Sequence, residues 1–376
     1  MPDTLILGGR PVTAGGVGEA AIRIVDGRIA EIGALAPRDG ERVISATGCF
    51  VLPGLVDLHV HLDDEVSGVP IADSFASGTE AAVRGGVTTL CSFVTQRPGE
   101  SLGGAVARMV ARADRVSHGD VAFHLTPTGD AWDWAAIADL VAAGLSTVKL
   151  YTTYREAGLY TDYDRLEQAM ARLARLGLGL LVHCEDEELL VESAAGEVEP
   201  ADPRDHGRRR PPLAEIRAVD RVVSAAARTG CRTHVVHVST PEAAARVAAA
   251  RTAGASVTCE TGPQYLLLDE RALAPPGGHR LLCTPPLRSA AIRGALLRAL
   301  LAGDVDVLAT DHCPFARTAK DLHADDFRRV PNGLPGVGAL LDLACELLVV
   351  DQLRRPNEVA RLCASNPARV AGLAPH

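Results

Sequence analysis

With 376 residues, nearly half of them apolar, the chain is long enough for one large domain with an appendage. A net charge of −9 and a pI near 5.7 argue against a surface built for nucleic acid or anionic membrane. No uninterrupted apolar run is long enough to cross a bilayer, and the N-terminus lacks the regions of a signal peptide. The nine cysteines are scattered, odd in number and without a CxxC pair, which places the protein in a reducing cytoplasm. Cys91, Cys184, Cys259 and Cys345 lie within apolar segments, where a free thiol behaves as a small hydrophobe.

Residues 3 to about 53 read as short strands broken by glycine turns: Leu5–Leu7, Ala21–Val25, Ile29–Ile32 and Val43–Ile44. Asp26-Gly27 between the second and third is a hairpin signal. Residues 1–53 thus form a small β-domain. From Val51 onward short β-branched runs alternate with Ala/Leu/Arg-rich amphipathic helices. The runs are 87–94, 121–126, 147–151, 178–184, 233–238, 256–260 and 305–310. With the apolar run that enters His59 they make eight strands, the size and rhythm of an α/β fold of the (β/α)₈ TIM-barrel type over residues 54–350. Residues 351–376 are expected to be a C-terminal helix and short tail. The basic run Arg208-Arg209-Arg210, followed by two prolines, is expected to be a solvated loop.

A doubly wound sheet alternates in the same way, so the position of the polar residues decides between the two. His59 and His61 stand one residue apart, and alternate strand residues point to one side. Two imidazoles so placed suit a divalent ion, although ordinary hydrogen bonds would also satisfy them. Lys149, His183, His237 and Asp311 lie at or just past the ends of four further runs, and in a barrel all those ends converge on one mouth. A buried Lys149 either pairs with Asp311 or Glu185, or has added CO2 to become a carbamate able to bridge two ions. Two ions about 3.5–4 Å apart would activate a water between them and polarise a substrate carbonyl. Asp311 would move the proton.

The runs Ala72–Thr89, Val182-His-Cys-Glu-Asp186, His234-Val-Val-His-Val-Ser239, Glu260-Thr-Gly-Pro-Gln-Tyr265, Cys283-Thr-Pro-Pro-Leu-Arg288, Thr310-Asp-His-Cys-Pro-Phe315, Asp326–Gly336 and Asn366-Pro-Ala-Arg369 carry a specific resemblance. From about Leu52 to Leu373 the chain resembles the cyclic amidohydrolases, most closely the D-hydantoinase/dihydropyrimidinase group. The resemblance implies a barrel with a small β-sandwich and hydrolysis of a cyclic amide or ureide by a metal-bridging hydroxide. It implies that His59, His61, Lys149 and Asp311 hold one ion, and that Lys149 (as its carbamate), His183 and His237 hold the other. Zinc is the default, and manganese or cobalt would suit the same donors. Tyr154 matches the tyrosine that donates to the developing oxyanion; otherwise it is a packed loop aromatic. Thr284, where serine is usual, and Asn332 match positions that bind the ring amide largely through backbone groups.

Dihydroorotases and allantoinases share the ligand set. The former commonly follow HxH with an arginine, whereas Leu62-Asp63-Asp64-Glu65 follows here and would repel a substrate carboxylate. Asp64 and Glu65 are read as a solvated acidic loop, or alternatively as the seat of a cationic or hydrogen-donating substituent. Gly338-Ala339-Leu340 stands where an acidic residue is usual. The chain also ends soon after Asn366-Pro-Ala-Arg369, so the sandwich begun by residues 3–53 is expected to be reduced, with an exposed sheet edge. A homo-oligomer, dimer or tetramer, is expected. The alternatives are an allantoinase- or dihydroorotase-like enzyme, ring closure by the same site, and a non-catalytic scaffold.

Overall fold

Short apolar runs separated by glycine turns fold the N-terminal residues into two small sheets. The first places its strands in the order Arg28–Gly33, Ala21–Val25, Thr4–Leu7 and Arg42–Ser45. The second joins Gly16–Val17, Arg10–Thr13 and Phe50–Val51, which are too short to stand out in the sequence. Asp26 and Gly27 both have positive φ (50° and 75°), the primed-turn geometry that Asp-Gly favours in a hairpin. These sheets leave apolar side chains in water: Ile29 and Ile32 are 63% and 62% exposed, and Val43, Ile44 and Phe50 are also uncovered. Inside it, the buried Arg23 guanidinium is held by Glu41 at 2.7 Å and Glu31 at 3.1 Å, so the charge is paired and not stranded.

The computed structural model describes residues 3–66, 68–129, 131–195, 201–274, 276–350 and 356–373. Its larger part is the expected barrel. Strands β1 (Leu55–Val60), β2 (Val87–Thr95), β3 (Asp120–Thr126), β4 (Thr147–Tyr151), β5 (Gly179–His183), β6 (Arg232–Val235), β7 (Val257–Thr261) and β8 (Val307–Leu308) lie side by side in chain order, all parallel. Every residue of β1 and β5 is buried, as befits a parallel sheet covered on both faces. The ring closes between β8 and β1. The His61 amide donates to the His312 carbonyl (2.7 Å) and the His312 amide to the His59 carbonyl (3.2 Å). The Thr310 amide and hydroxyl both reach the buried Asp57 carboxylate, at 3.1 and 2.5 Å. β8 is shorter than the run 305–310 suggests, because the backbone leaves ladder geometry to make these closing contacts.

Amphipathic helices coat the barrel, among them Phe75–Arg84, Leu102–Ala113, Tyr163–Arg175, Pro212–Thr229, Pro241–Thr252 and Ala290–Ala302. All of these but Pro212–Thr229, which starts on Pro211 and Pro212, carry a side-chain cap, with Ser74 and Ser77 forming a capping box and Asp162 accepting from the Arg165 amide. At the N-terminal end of the strands, the short helix Asn366–Val370 and Ala371 pack on Val56, Leu58, Cys91, Val307 and Ala309. Asn366 Nδ2 donates to the Asp306 carbonyl (2.7 Å) and the Ser146 hydroxyl to the Ala371 carbonyl (2.5 Å). The C-terminal segment therefore plugs the closed end and leaves the other end for chemistry.

Gly85, which ends the first coating helix, lies against the 336–339 turn. A Cβ there would sit 2.3 Å from the Gly338 carbonyl oxygen, a backbone atom that cannot swing aside. Gly85→Ala is expected to cost about 1–3 kcal/mol through overpacking, read as a lowered midpoint in urea with an unchanged slope.

Candidate metal and active site

β1 delivers His59 and His61 to the open mouth, where Phe93 from β2 forms a floor, its ring 4.7 Å from His59 and 4.8 Å from His61. Asp311, just past β8, places a carboxylate oxygen 3.1 Å from His59 Nε2 and 3.6 Å from His61 Nε2. The donor atoms of these three residues all lie within 4.8 Å of one another, the spacing of ligands around one ion. Burial pushes the Asp311 carboxyl up, but the neighbouring His59 and His61 hold it below its ordinary value. It is therefore a carboxylate at neutral pH.

His183 from β5 and His237 beyond β6 form a second pair, with ring centroids 4.5 Å apart, and His237 lies 5.5 Å from His59. His183 Nε2 meets Glu185 at 2.8 Å, which leaves Nδ1 available as a donor to a metal. His237 Nδ1 is buried and has no hydrogen-bond partner. A ring nitrogen withdrawn from water without a partner is costly, and an ion between the two rings would remove that cost.

Lys149 from β4 lies among these groups, 1% exposed. Its Nζ sits 5.3 Å from the Phe93 ring and 5.1 Å from the Tyr151 ring. The alternative of an ion pair with Asp311 or Glu185 does not hold: Asp311 faces the two histidines, and Glu185 takes His183 and Arg210. Burial without a contacting counter-ion lowers the Lys149 amine from 10.5 to about 8, against the longer-range pull of Glu260 and Asp311. The shift brings the free base, the form that adds CO2, closer to neutral pH than in an ordinary lysine.

Tyr154 stands on the loop after β4 in the left-handed region (φ 67°), as do His237 (38°) and Asp311 (51°). Such backbone is sparsely populated by non-glycine residues, and it clusters at sites where a side chain must be aimed. The Tyr154 ring packs 5.0 Å from His183, and its hydroxyl has Thr284 as a hydrogen-bonding neighbour. Burial raises its pKa, against the opposing effects of Arg210 and Thr284, so the phenol keeps its proton to donate. Thr284 also meets His206 Nε2 at 3.2 Å. Asn332 arrives beside it through the backbone: the Gly333 amide donates to the Leu282 carbonyl and the Cys313 amide to the Leu334 carbonyl, both at 2.9 Å. The Asn332 amide oxygen is buried and unpartnered. The fold thus gathers His59, His61, Lys149, His183, His237 and Asp311 at the mouth, with Tyr154 and Thr284 on one flank and the 332–334 segment laced to both.

Residues 50–376 match the amidohydrolase family. The chain belongs to that family. It is 37% identical to a D-hydantoinase of Streptomyces coelicolor over 99% of this chain and 82% of the relative. The solved dihydropyrimidinase of Brevibacillus agri superposes with a TM-score of 0.93 at 32% identity, over 99% of this chain and 82% of that one. The L-hydantoinase of Arthrobacter aurescens gives 0.90 at 27% identity, over 100% and 83%.

Two sequence readings of this amidohydrolase need correction. Arg210 is not in a solvated loop: it ends the short helix Asp205–Arg209, forms an ion pair with Glu185 and lies 5.2 Å from the Tyr154 ring centroid. Only its neighbour Arg208 is in water. Asp64 is not solvated either. It is largely buried, 3.8 Å from Arg97, with Arg108 and Arg112 also acting on it. Glu65 is exposed in a two-stranded hairpin with Val69–Pro70. Glu260, which heads one of the matching runs, is not among the residues singled out from the sequence, yet it is buried and hydrogen-bonded to His59 and His234. Its signal was an acid inside an apolar strand, which is tolerated only when paired.

Replacing Tyr154 with phenylalanine removes the hydroxyl and leaves the packing. A fall in kcat of about 10²–10³ with little change in KM is expected from steady-state kinetics.

Proposed function

We propose that this chain hydrolyses a ring C–N bond in cyclic amides and ureides of the hydantoin and dihydropyrimidine class, using two divalent metal ions. The observation that carries the reading is the convergence on one barrel mouth of four histidines, Asp311 and a buried Lys149 without a contacting acid. The unpartnered His237 Nδ1 and the N/O donor set fit zinc, and manganese or cobalt equally in kind. His59, His61, Lys149 and Asp311 would hold one ion, and Lys149 as its carbamate with His183 and His237 the other. Bound there, the ions supply a Lewis acid for the ring carbonyl and lower the pKa of water.

The chain's own groups do the rest. The Asp311 carboxylate accepts the proton of the attacking water as its oxygen bonds to the ring carbonyl carbon. The Tyr154 hydroxyl donates to the oxyanion that forms. Asp311 then returns the proton to the departing ring nitrogen as the C–N bond breaks, so the proton balance closes on one residue. Thr284 and the 332–334 backbone face the ring amide. The names of the relatives favour hydantoin-type rings over the allantoinase- or dihydroorotase-like alternative, and they include both D- and L-enzymes. The same site serves ring closure. A non-catalytic scaffold would not need to keep all six ligand positions and Tyr154.

We further assign residues 1–53, 54–350 and 351–376 as three units, with the chemistry in the second; 351–355 and 374–376 lie outside the described residues. No described helix is long and apolar enough to cross a membrane. Nine unpaired cysteines support a cytoplasmic location, and the exposed Ile29, Ile32 and Phe50 support a homo-oligomer. The functional test is ring opening of hydantoin and dihydrouracil by zinc-loaded protein. Opening of at least one ring, lost on chelation, is expected; absence of opening on a panel of 5-substituted hydantoins and dihydropyrimidines would contradict it.

A further inference from the structure

We infer that Glu260 and His234 are positioning residues that aim both metal half-sites at once. Glu260, on β7, is 1% exposed, and a carboxylate can only accept. One oxygen accepts from His59 Nδ1 at 2.5 Å and from the His237 backbone amide at 3.3 Å. The other accepts from His234 Nε2 at 3.0 Å. His234 Nδ1 in turn meets the Thr258 hydroxyl at 2.8 Å, so its ring is pinned at both nitrogens.

The consequences follow from donor and acceptor roles. Because His59 Nδ1–H donates to Glu260, Nε2, on the side of Asp311, is the nitrogen left for an ion, which is the tautomer a ligand requires. The same oxygen holds the amide of His237, whose φ of 38° fixes the direction of the second ligand. One carboxylate therefore sets a side chain in the first half-site and the backbone of the second. His234 keeps it from turning away, and it does so from a position facing a cavity at the opposite end of the barrel. None of these contacts reaches the substrate side, so the role is one of aim.

This inference rests on the ligand assignment proposed above, and the test separates the two. Zinc affinity is measured on metal-free protein by competition with a chromophoric chelator, with thermal unfolding of the same metal-free samples as the check on folding. In wild type, zinc binding supports the ligand set; its absence removes that set and this inference together. Glu260→Gln keeps the volume but replaces the charge with an amide. Affinity at both half-sites is expected to fall about 10–100-fold with metal-free unfolding little changed. His234→Phe removes the donor and should lower both affinities in the same direction, and His234→Gln, whose amide can donate to Glu260, should restore most of the loss. Should Glu260→Gln fail to fold, the two His234 variants decide. Wild-type affinity within twofold in Glu260→Gln or in His234→Phe, or a loss confined to one half-site, would overturn the inference.

Discussion

Asp311→Asn is expected to lower kcat by about 10²–10⁴, the range of a positioned acid–base group, even where zinc is still bound. The carboxylate lies 3.1 Å from His59 Nε2 and is held ionised by the two histidines, so it is free to take a proton. An asparagine amide retains an oxygen for an ion but cannot accept the proton. The distinguishing result is therefore a separation of effects: turnover collapses while zinc content falls far less. Equal losses of both would mean that Asp311 serves only as a ligand. Undiminished turnover would remove it from the mechanism.

Lys149→Ala is expected to be the most damaging single change, with kcat/KM reduced by about 10³ or more (~4 kcal/mol) and the second ion lost. Removing the amine deletes the oxygen donor that both half-sites would share and leaves a buried space beside Phe93 and Tyr151. The reconstitution of wild type has a pH signature whose sign follows from the amine. Lysine must be neutral to add CO2, and in metal-free protein its pKa is lowered to about 8 by burial. Lowering the pH below that value protonates the amine and suppresses the carbamate; raising it releases the free base. Metal-free protein given zinc and bicarbonate at pH 8.5 should regain activity faster and further than at pH 6. In Lys149→Ala, bicarbonate should have no effect at either pH. A wild-type response that ignores both bicarbonate and pH would argue for an unmodified lysine.

The barrel was legible because parallel strands buried on both faces read as β-branched runs with helical sequence between them. The convergence of the six residues proposed as ligands was legible because each stands where such a run ends. What escaped were features that depend on long-range partners. Phe50–Val51 pairs with Arg10 and Pro11 near the start of the chain, whereas Gly16–Val17 pairs locally with Val12 and Thr13 and is simply too short to carry a periodicity. The last strand shortens because Thr310 turns to bond Asp57, 253 residues away in sequence. Arg210 looks solvated beside two other arginines, and only the fold brings Glu185 and Tyr154 to it. Glu260 was visible as a residue and silent as a role, since its partner His59 lies 201 residues away.

The central claim is a two-ion site bridged through Lys149. Elemental analysis of protein expressed with added zinc and bicarbonate tests it most directly, with Lys149→Ala prepared in parallel and the intact mass of each recorded. Close to two ions per chain and a mass increment matching bound CO2 in wild type, with the increment and the second ion lost in the variant, are the predicted results. A single ion per chain in wild type that is kept unchanged in the variant, with no CO2 increment on the wild-type mass, would contradict the bridge, and no ion at all would contradict the enzyme.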